Sequence, residues 1–410
     1  MAKKLRVGIL FGGRSGEHEV SLLSAASILK AIDQRKFEVV PIGINKAGHW
    51  LTSGAAQGLL EGSATALGSG EPGRQTESSP KAQKKLRAGD PAATPGARVL
   101  AEGQPALLAP EPAAALTRSG VAALDSHAAL GAQSLDVVFP VLHGTFGEDG
   151  TIQGLFELAG MAYVGSGVLG SAAGMDKDVM KRLFANAGLL IVKHVTLLRP
   201  EWERAPGKAI AQVEAALDYP VFVKPANLGS SVGISKAHDR KELKAALDLA
   251  ARYDRKLVVE QCVGGKTTKA REFEVAVLGN DDPQASVVGE IIPGKEFYDY
   301  EAKYLSEGSV AVIPARLTKA EANHIQEMAI AAFRACDLAG LARVDFLMEP
   351  EGKRRIFLNE VNTMPGFTKI SMYPKLWEAT GLSYKELITR LIELALERQA
   401  EKCRTVYTRE

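Results

Sequence analysis

Cysteine is scarce in this sequence, with three residues in 410 and no C-x-x-C pair. Cys262, Cys336 and Cys403 are odd in number and far apart, which argues against a disulfide framework or a zinc site and is typical of a reducing compartment. Long hydrophobic runs are also missing, because no stretch approaches the ~18 apolar residues of a membrane span. The apolar run at the N-terminus stops at Gly12 and Gly13, too soon for the core of a signal peptide. We therefore expect a cytoplasmic protein with no membrane partner.

The chain also lacks an excess of charge of either sign. Its 50 Lys and Arg residues balance 48 Asp and Glu residues, for a net charge of +2. This balance gives no indication of nucleic acid or a membrane surface as a partner. Hydrophobic residues make up 46% and charged residues 24%, as in globular chains that bury substantial cores. The length of 410 residues exceeds one ordinary domain, and we predict three, at 1–170, 171–262 and 263–401.

The first 170 residues alternate strand patterns with helical patterns. KLRVGILFGG predicts a buried strand and a Gly-rich loop before an amphipathic helix, KFEVVPIGIN and LDVVFPVLHG predict two more strands, and MAYVGSG a short fourth. This alternation indicates an α/β domain with a parallel sheet. Residues 54–132 interrupt it with a stretch rich in Gly, Ala, Pro and Ser. We interpret most of that stretch as a solvated insertion, with a weak strand or two near ARVL and PALLAP.

The rest of the chain changes to an α+β pattern. MDKDVMKRLFANAGL is helical, VFVKPANLGSSVGISK is a strand, a Gly-Ser loop and a strand, and KLVVEQCV is a strand ending near a glycine pair. After residue 271 the pattern is rich in strands, followed by a helix, a predicted hairpin in ARVDFLMEPEGKRRIFLNEVN and a closing helix over 383–400.

The predicted hairpin carries polar residues on one face. If its turn is centred between residues 352 and 353, Asp345 faces Glu360 and Arg343 faces Asn362, and all four side chains share a face. Facing residues have Cβ atoms only ~4.5–5.5 Å apart, where like charges are destabilising. Two facing carboxylates and an amide oxygen therefore favour a hard cation such as Mg²⁺. The open alternative is an ordinary solvent-exposed strand face.

Lysines and a Gly-Ser loop point to phosphate binding. Lys224 precedes the loop that contains Gly229, Ser230 and Ser231, whose backbone N–H groups and hydroxyls suit phosphate oxygens. Lys177, near a helix start, is another candidate phosphate cation. The alternatives are a solvated helix lysine and a tight hairpin turn. GSGVLG at 165–170 matches a dinucleotide fingerprint, but the strand and acid that should follow are missing, so the signal is weak.

Several motifs together resemble the D-alanine–D-alanine ligases of the ATP-grasp superfamily. They occur in the family's order and cover nearly the whole chain outside 54–132: FGGRSGEHEVS, LHGTFGEDGTIQG, MDK, VKPANLGSSVG, FYDYEAKY, ARVDF and LNEVNTMPG. The resemblance implies a three-domain ATP-grasp fold and ATP-dependent ligation of two D-alanines, through an acyl phosphate, for peptidoglycan precursor synthesis. It implies ATP and Mg²⁺ (or Mn²⁺) as cofactors and a homodimer.

The resemblance also implies roles for individual residues. For the phosphates of ATP it implies Lys177, Lys224, Ser230, Ser231 and Lys303. For adenine it implies Glu260, Cys262 and Val263, and for ribose Glu272. For the metal it implies Asp345, Glu360 and Asn362. The residues of the amino-acid sites are Glu17 and His143 for the first D-alanine, Ser230 and Tyr304 as links from Glu17 to a closing loop, Arg343 and Gly366 N–H for the tetrahedral intermediate, and Ser371 and Met372 for the second D-alanine.

The closing loop corresponds to 294–308, and closure would protect an acyl phosphate from water. The resemblance of EAKY around Tyr304 to the family's motif implies D-alanine, rather than D-lactate, as second substrate. The segment 263–270 looks longer than the family pattern, which leaves the adenine and ribose contacts open. Three other functions stay open at this point: another ATP-grasp ligase, including a D-alanine–D-hydroxy-acid ligase, an ATP-binding module without catalysis, and a nicotinamide oxidoreductase.

Overall fold

The computed structural model describes residues 3–68, 135–264, 268–293, 310–368 and 370–409. Its first sheet has the strand order β3-β2-β1-β4, with β1 parallel to β2 and β4 and the short β3 antiparallel to β2. The strands are β1 (Leu5–Gly12), β2 (Phe37–Ile44), β3 (Trp50–Thr52) and β4 (Val137–Val141). The helices are α1 (His18–Ala31), α2 (Ser53–Gly68), α3 (Thr151–Leu158) and α4 (Val168–Met175).

Strand β1 delivers the chain to the carboxyl edge of this sheet. Seven of its eight residues are buried, as expected for a parallel strand with both faces covered. It ends at Gly12 and Gly13, whose φ values of +93° and +96° favour glycine, and a Cβ on Gly12 would lie 2.1 Å from the carbonyl oxygen of Ile44. The sharp turn places the start of α1, and with it Glu17, at the edge where β4 also ends.

Two expectations for this part of the chain were wrong. The expected start of the solvated stretch at residue 54 was wrong, because residues 54–68 belong to α2, where Ala56 and Leu60 are buried and Leu59 packs against the apolar core. The apolar stripe was hidden by the surrounding Gly, Ala and Ser. MAYVGSG forms a single β-bridge between Val138 and Tyr163 instead of a strand. The remainder of the expected insertion, with ARVL and PALLAP, lies outside the described residues.

The central part of the chain forms an antiparallel sheet with the order β5-β8-β6-β7. Asp176 caps the helix before it by accepting the N–H groups of Asp178 and Val179, so Lys177 is the first helical residue. The elements are α5 (Lys177–Asn186), β5 (His194–Leu198), α6 (Arg199–Arg204), α7 (Pro206–Ala216), β6 (Val221–Pro225), β7 (Ser235–Ala237), α8 (Arg240–Ala250) and β8 (Lys256–Gln261).

The last part of the chain forms a six-stranded antiparallel sheet with the order β12-β11-β9-β13-β14, in which β10 pairs with β9. Its strands are β9 (Arg271–Gly279), β10 (Gln284–Ala285), β11 (Gly289–Ile292), β12 (Val310–Val312), β13 (Gly340–Met348) and β14 (Ile356–Asn362). Its helices are α9 (Lys319–Ala335), α10 (Met372–Thr380) and α11 (Tyr384–Lys402).

Phe367 ties the segment after β14 to the first sheet. Its ring lies 5.6 Å from those of Phe139 and Tyr373, and its carbonyl oxygen accepts a 2.6 Å hydrogen bond from the Tyr384 hydroxyl. These contacts belong to one apolar core that joins the first sheet to α10 and α11. None of the helices in the described ranges combines the length and the hydrophobicity that a membrane span requires.

Candidate active site

The hairpin of β13 and β14 has the expected pairing where its polar residues lie. Arg343 is opposite Asn362, and Asp345 is opposite Glu360. Beyond Asp345 the register shifts by one residue, so the expected alignment of the outer half and its turn was wrong. The extra residue is Asn359, which forms a β-bulge, a feature that re-aims side chains and is frequent beside active sites.

Basic side chains lie beside both opposed carboxylates. Arg343 donates two hydrogen bonds of 2.7 Å to Asp345, and its Nε lies 3.2 Å from Glu274. The Nζ of Lys177 lies 3.6 Å from Glu360. From the sequence we expected that a bound cation alone would neutralise the two opposed carboxylates. Arg343 and Lys177 instead supply part of the positive charge.

Asp345, Glu360 and Asn362 offer only oxygen atoms, two carboxylates and one amide. Hard oxygen donors of this kind suit Mg²⁺ or Mn²⁺, which commonly bind few protein carboxylates together with substrate phosphates. Within the part of the chain that the structure describes, no cluster of three or more His, Cys, Asp or Glu side chains is placed to hold a metal. The predicted set still fits a hard divalent ion, since its third donor is the amide of Asn362.

A cleft of about 290 Å³ separates the central sheet from the last sheet. Phe222 and Ile234 on one side and Leu347 on the other form apolar walls that would accept a planar ring. Most of the predicted nucleotide residues line this cleft, together with the two acids of the hairpin: Lys224, Ser231, Glu260, Cys262, Val263, Glu272, Asp345 and Glu360.

Glu260 is the centre of a buried triad with two lysines. Its carboxylate lies 2.7 Å from Lys224 Nζ and 2.9 Å from Lys181 Nζ, and all three side chains are nearly or fully buried. Burial would raise the pKa of Glu260, but the two lysines outweigh it and hold that pKa well below its usual range. Sequence reasoning missed Lys181, although it lies four residues after Lys177 and therefore on the same side of α5.

The cleft also contains a buried amide oxygen without a hydrogen-bond partner among the described residues. This atom is the Oδ1 of Asn359, whose backbone carbonyl oxygen accepts a hydrogen bond of 3.4 Å from Lys181. Cys262 lines the same cleft, and its N–H already donates to the carbonyl oxygen of Pro220 at 3.2 Å. An unpaired buried acceptor is unfavourable, so this part of the cleft suits a ligand that donates a hydrogen bond.

The Gly-Ser loop reaches across to the start of α1. Ser230 and Ser231 adopt φ values of +51° and +59°, and the Ser230 hydroxyl donates a hydrogen bond to Glu17. A Cβ on Gly144 would lie 2.3 Å from the Oε2 of Glu17, and one on Gly229 would lie 3.0 Å from it. The Glu17 carboxylate is thus held between two glycines from different parts of the chain.

The segment after β14 borders the same region. Gly366 lies against Ser371, because a Cβ at Gly366 would be 2.7 Å from the Ser371 hydroxyl. Ser371 also accepts the Thr368 N–H at 3.0 Å, and the Met372 side chain is buried in the apolar core. Only the backbone of Met372 is therefore available to a ligand. Lys303, Tyr304 and the rest of 294–308 lie outside the described residues.

The glycines of GSGVLG have a packing role. A Cβ on Gly170 would lie 2.4 Å from the carbonyl oxygen of Asp337, and Gly165 lies within 3.1 Å of the position a Cβ would take on Gly340. The GSGVLG run leads into α4, which packs closely against the last sheet. The close approach of the two backbones explains why the run is rich in glycine. The structure therefore accounts for these glycines without a dinucleotide.

Comparisons with known proteins identify the family of the chain. A family model described as D-ala D-ala ligase N-terminus matches residues 6–166, and one described as D-ala D-ala ligase C-terminus matches residues 183–393. A D-alanine–D-alanine ligase of Natranaerobius thermophilus is 47% identical over 402 residues, which cover 98% of each protein. The chain belongs to the D-alanine–D-alanine ligase family.

Solved structures extend the match to the fold. The D-alanine–D-alanine ligase of Coxiella burnetii superposes with a TM-score of 0.73 at 32% identity, covering 98% of this chain and 97% of that one. A D-Ala:D-Ser ligase of Enterococcus faecalis superposes with a TM-score of 0.72 at 32% identity, covering 96% and 100%. The mixed α/β ATP-grasp architecture and the ligase class predicted from the sequence are confirmed.

Proposed function

We propose that this enzyme joins two D-alanine molecules in an ATP-dependent reaction that passes through an acyl phosphate. The observation that carries the proposal is the cleft itself. Two acids and an amide meet on the hairpin beside Lys177, and the cleft between the two sheets has apolar walls, Glu260 and the unpaired acceptor of Asn359. The oxygen donors and lysines suit a triphosphate with its metal ion, and the apolar walls with an open acceptor suit adenine.

The nucleotide has a set of complementary residues. Lys177 and Lys224 would hold phosphate oxygens with the loop at Ser230 and Ser231, and Lys303 would join them when the loop 294–308 closes. Glu260, the backbone of Cys262 and Val263, and Glu272 would hold adenine and ribose. Asp345, Glu360 and Asn362 would hold Mg²⁺ or Mn²⁺, which neutralises negative charge on the phosphates when bound.

The first D-alanine binds beside Glu17, whose carboxylate receives its ammonium group, with His143 close by. The substrate carboxylate then attacks the γ-phosphorus of ATP, which forms the acyl phosphate and releases ADP. The hydrogen bond from Ser230 holds Glu17 in place. Tyr304 would join this network on closure, and exclusion of water protects the reactive acyl phosphate.

The second D-alanine binds at Ser371 and the backbone of Met372. Its deprotonated amine attacks the acyl carbonyl carbon, and the developing negative charge on oxygen is stabilised by Arg343 and the N–H of Gly366. Collapse of the tetrahedral intermediate breaks the bond to phosphate and leaves D-alanyl-D-alanine and inorganic phosphate. We place the enzyme in the cytoplasm, as a homodimer that supplies a peptidoglycan precursor.

A coupled assay of ADP release tests this proposal. With ATP and Mg²⁺, we expect D-alanine alone to give ADP and dipeptide, whereas L-alanine gives neither. D-alanine mixed with D-serine or D-lactate tests the second subsite, and preferential formation of a mixed product would establish the D-hydroxy-acid or D-serine alternative. Absence of ADP release with every D-amino or D-hydroxy acid would overturn the proposal.

A further inference from the structure

Three residues of the first domain, Ser24, His143 and Glu148, contact the backbone of the segment 363–367 in the last domain. We propose that they form a clamp that positions this segment for catalysis, and we call them the Met364 clamp. The segment contains Gly366, the proposed oxyanion donor, and directly follows Asn362, a proposed metal ligand. The inference therefore rests on the proposed function and adds three positioning residues to it.

Glu148 holds the front of the segment. Its Oε2 accepts the Met364 N–H at 3.0 Å and the Thr363 hydroxyl at 3.4 Å. Its Oε1 accepts the N–H of Gly144 at 2.7 Å, so the same carboxyl group fixes the loop that touches Glu17. The side chain is buried, and it bridges the two sides of the amino-acid site through both of its oxygens.

His143 holds the carbonyl side of the same residue. Its Nδ1 lies 2.8 Å from the Met364 carbonyl oxygen, which can only accept, so Nδ1 carries the proton. Burial lowers the pKa of His143 and outweighs the Glu17 charge, which acts in the opposite direction. The lowered pKa favours the neutral ring. A neutral ring with its proton on Nδ1 accepts at Nε2, and the Ser24 hydroxyl lies 3.1 Å from that atom.

Ser24 completes the clamp at the far end. Its hydroxyl oxygen accepts the Phe367 N–H at 3.2 Å while its proton points at His143. Both backbone groups of Met364 and the N–H of Phe367 are thus held from the first domain, on either side of Gly366. Because both ring nitrogens of His143 are engaged, the residue acts here through the segment that it holds.

The clamp also bears on Asn362. The Met364 N–H is shared between Glu148 at 3.0 Å and the Asn362 Oδ1 at 3.2 Å. While Glu148 accepts this N–H, the amide oxygen of Asn362 keeps lone-pair capacity for a metal ion. Loss of the Glu148 acceptor would leave Asn362 as the remaining acceptor and weaken its capacity as a metal ligand.

Glu148→Gln tests the clamp with little change in shape. In the protonated as in the ionised form, each oxygen of the Glu148 carboxyl group keeps lone pairs that can accept a backbone N–H, whereas glutamine offers one oxygen and an NH2 group that cannot accept. We expect kcat to fall about 10- to 100-fold, because small misplacements of reacting groups have effects of that size. The KM for ATP should stay within about twofold, and the Mg²⁺ concentration for half-maximal rate should rise.

Asp149→Asn is the matched control. It makes the same carboxylate-to-amide change one residue later, where Asp149, among the described residues, accepts from the N–H groups of Phe146 and Thr151 of its own loop and helix. Its kcat should stay within about twofold of the wild type, because its contacts do not reach the segment 363–367. Equal losses of kcat in the two variants would overturn the proposal, because they would indicate a general effect on the loop.

Hydrogen exchange gives a readout that does not depend on turnover. Mass spectrometry of the full-length protein should show faster exchange in the peptide covering 361–368 for Glu148→Gln, and unchanged exchange there for Asp149→Asn. Ser24→Ala is a second variant, and it should loosen the same peptide and lower kcat if Glu148→Gln fails to fold. Wild-type exchange in that peptide for both Glu148→Gln and Ser24→Ala would overturn the clamp, whatever substrate the enzyme uses.

Discussion

The hydroxyl of Ser230 donates a hydrogen bond to the carboxylate of Glu17, a residue 213 positions earlier in the chain. The bond connects the loop after β6 to the start of α1, so the proposed phosphate site and the proposed ammonium site share one contact. Glycines on both sides, Gly144 and Gly229, give the carboxylate its space.

Gly144→Ala should displace that carboxylate. The new methyl group would lie 2.3 Å from Glu17 Oε2 at a φ of +74°, and strain of this kind costs about 1–3 kcal/mol of stability. We expect the KM for D-alanine to rise at least about 10-fold, while ATP affinity stays unchanged. Initial-rate kinetics and calorimetric titration with ATP measure the two effects.

Gly154→Ala is the control for this substitution. Gly154 lies in α3, and a Cβ at this position would meet nothing within 4 Å, so alanine should stabilise the helix by about 0.5–1 kcal/mol. Its kinetics should match those of the wild type. A normal KM for D-alanine in Gly144→Ala would contradict the placement of Glu17 in the amino-acid site.

Glu360→Gln should impair turnover without unfolding the protein. Glu360 faces Asp345 across the hairpin and is partly exposed. Its replacement by glutamine therefore removes a charge from the proposed metal site and hardly changes the packing of the core. We expect kcat to fall about 10²- to 10³-fold, as for loss of a group that stabilises charge in the transition state. Steady-state rates at increasing Mg²⁺, with Glu351→Gln at the exposed hairpin turn as control, would show this. A wild-type Mg²⁺ dependence in Glu360→Gln would argue against the ligand assignment.

The balance of charges among Lys181, Lys224 and Glu260 predicts a large loss of stability for one substitution and a small change for another. Glu260→Gln leaves Lys181 and Lys224 without their shared carboxylate, and an uncompensated buried charge costs about 3–5 kcal/mol. Lys181→Met leaves the neutral pair of Glu260 and Lys224, so the free energy of unfolding should change by less than about 1.5 kcal/mol. Urea denaturation of both variants measures the contrast. Comparable destabilisation by the two would show that packing, rather than charge, decides.

Stability should depend on the protonation of Glu148. Burial, and after it the charge of Glu17, raise the pKa of Glu148 above its usual range. The native state therefore holds this proton more tightly than the unfolded chain, so the stabilisation is fully present below the ordinary glutamate pKa and is lost as the pH rises. For a single proton the slope is at most about 1.4 kcal/mol per pH unit.

Glu148→Gln cannot titrate and provides the comparison. The difference in unfolding free energy between wild type and variant should shrink from about pH 5 to about pH 8. Urea unfolding across that range measures it. A difference that grows with pH would mean that the native state prefers ionised Glu148.

Sequence periodicity predicted the inner half of the hairpin because the polar residues alternate there with buried ones. It failed beyond Asp345, where Asn359 and Glu360 are two adjacent polar residues, and such a pair signals a bulge as easily as a strand end. The cause is physical, since a bulge is fixed by pairing with the neighbouring strand and by local packing. The same argument covers α2, whose burial is decided by the sheet beneath it.

The residues that the sequence did not reveal act through long-range contacts. Lys181 reads as a solvated helix lysine until β8 and β14 cover it. The bonds from Glu148 to Met364 and from Ser24 to Phe367 join positions 216 and 343 apart, which no local spacing can show. Family resemblance supplied the proposed site residues, and the three-dimensional contacts supplied the residues proposed to hold them.

The apolar cores indicate which part of the enzyme can move most easily as a unit. One continuous core joins the first sheet to α10 and α11, whereas the central sheet encloses a core made only of its own residues between Leu197 and Val259. Tearing the shared core would expose large apolar surfaces to water, but tilting the central sheet exchanges charged contacts such as that of Lys256 in β8 with Asp178 in α5 for hydration. We therefore expect the central sheet to move as a unit relative to the first sheet, α10 and α11, which the shared core holds together.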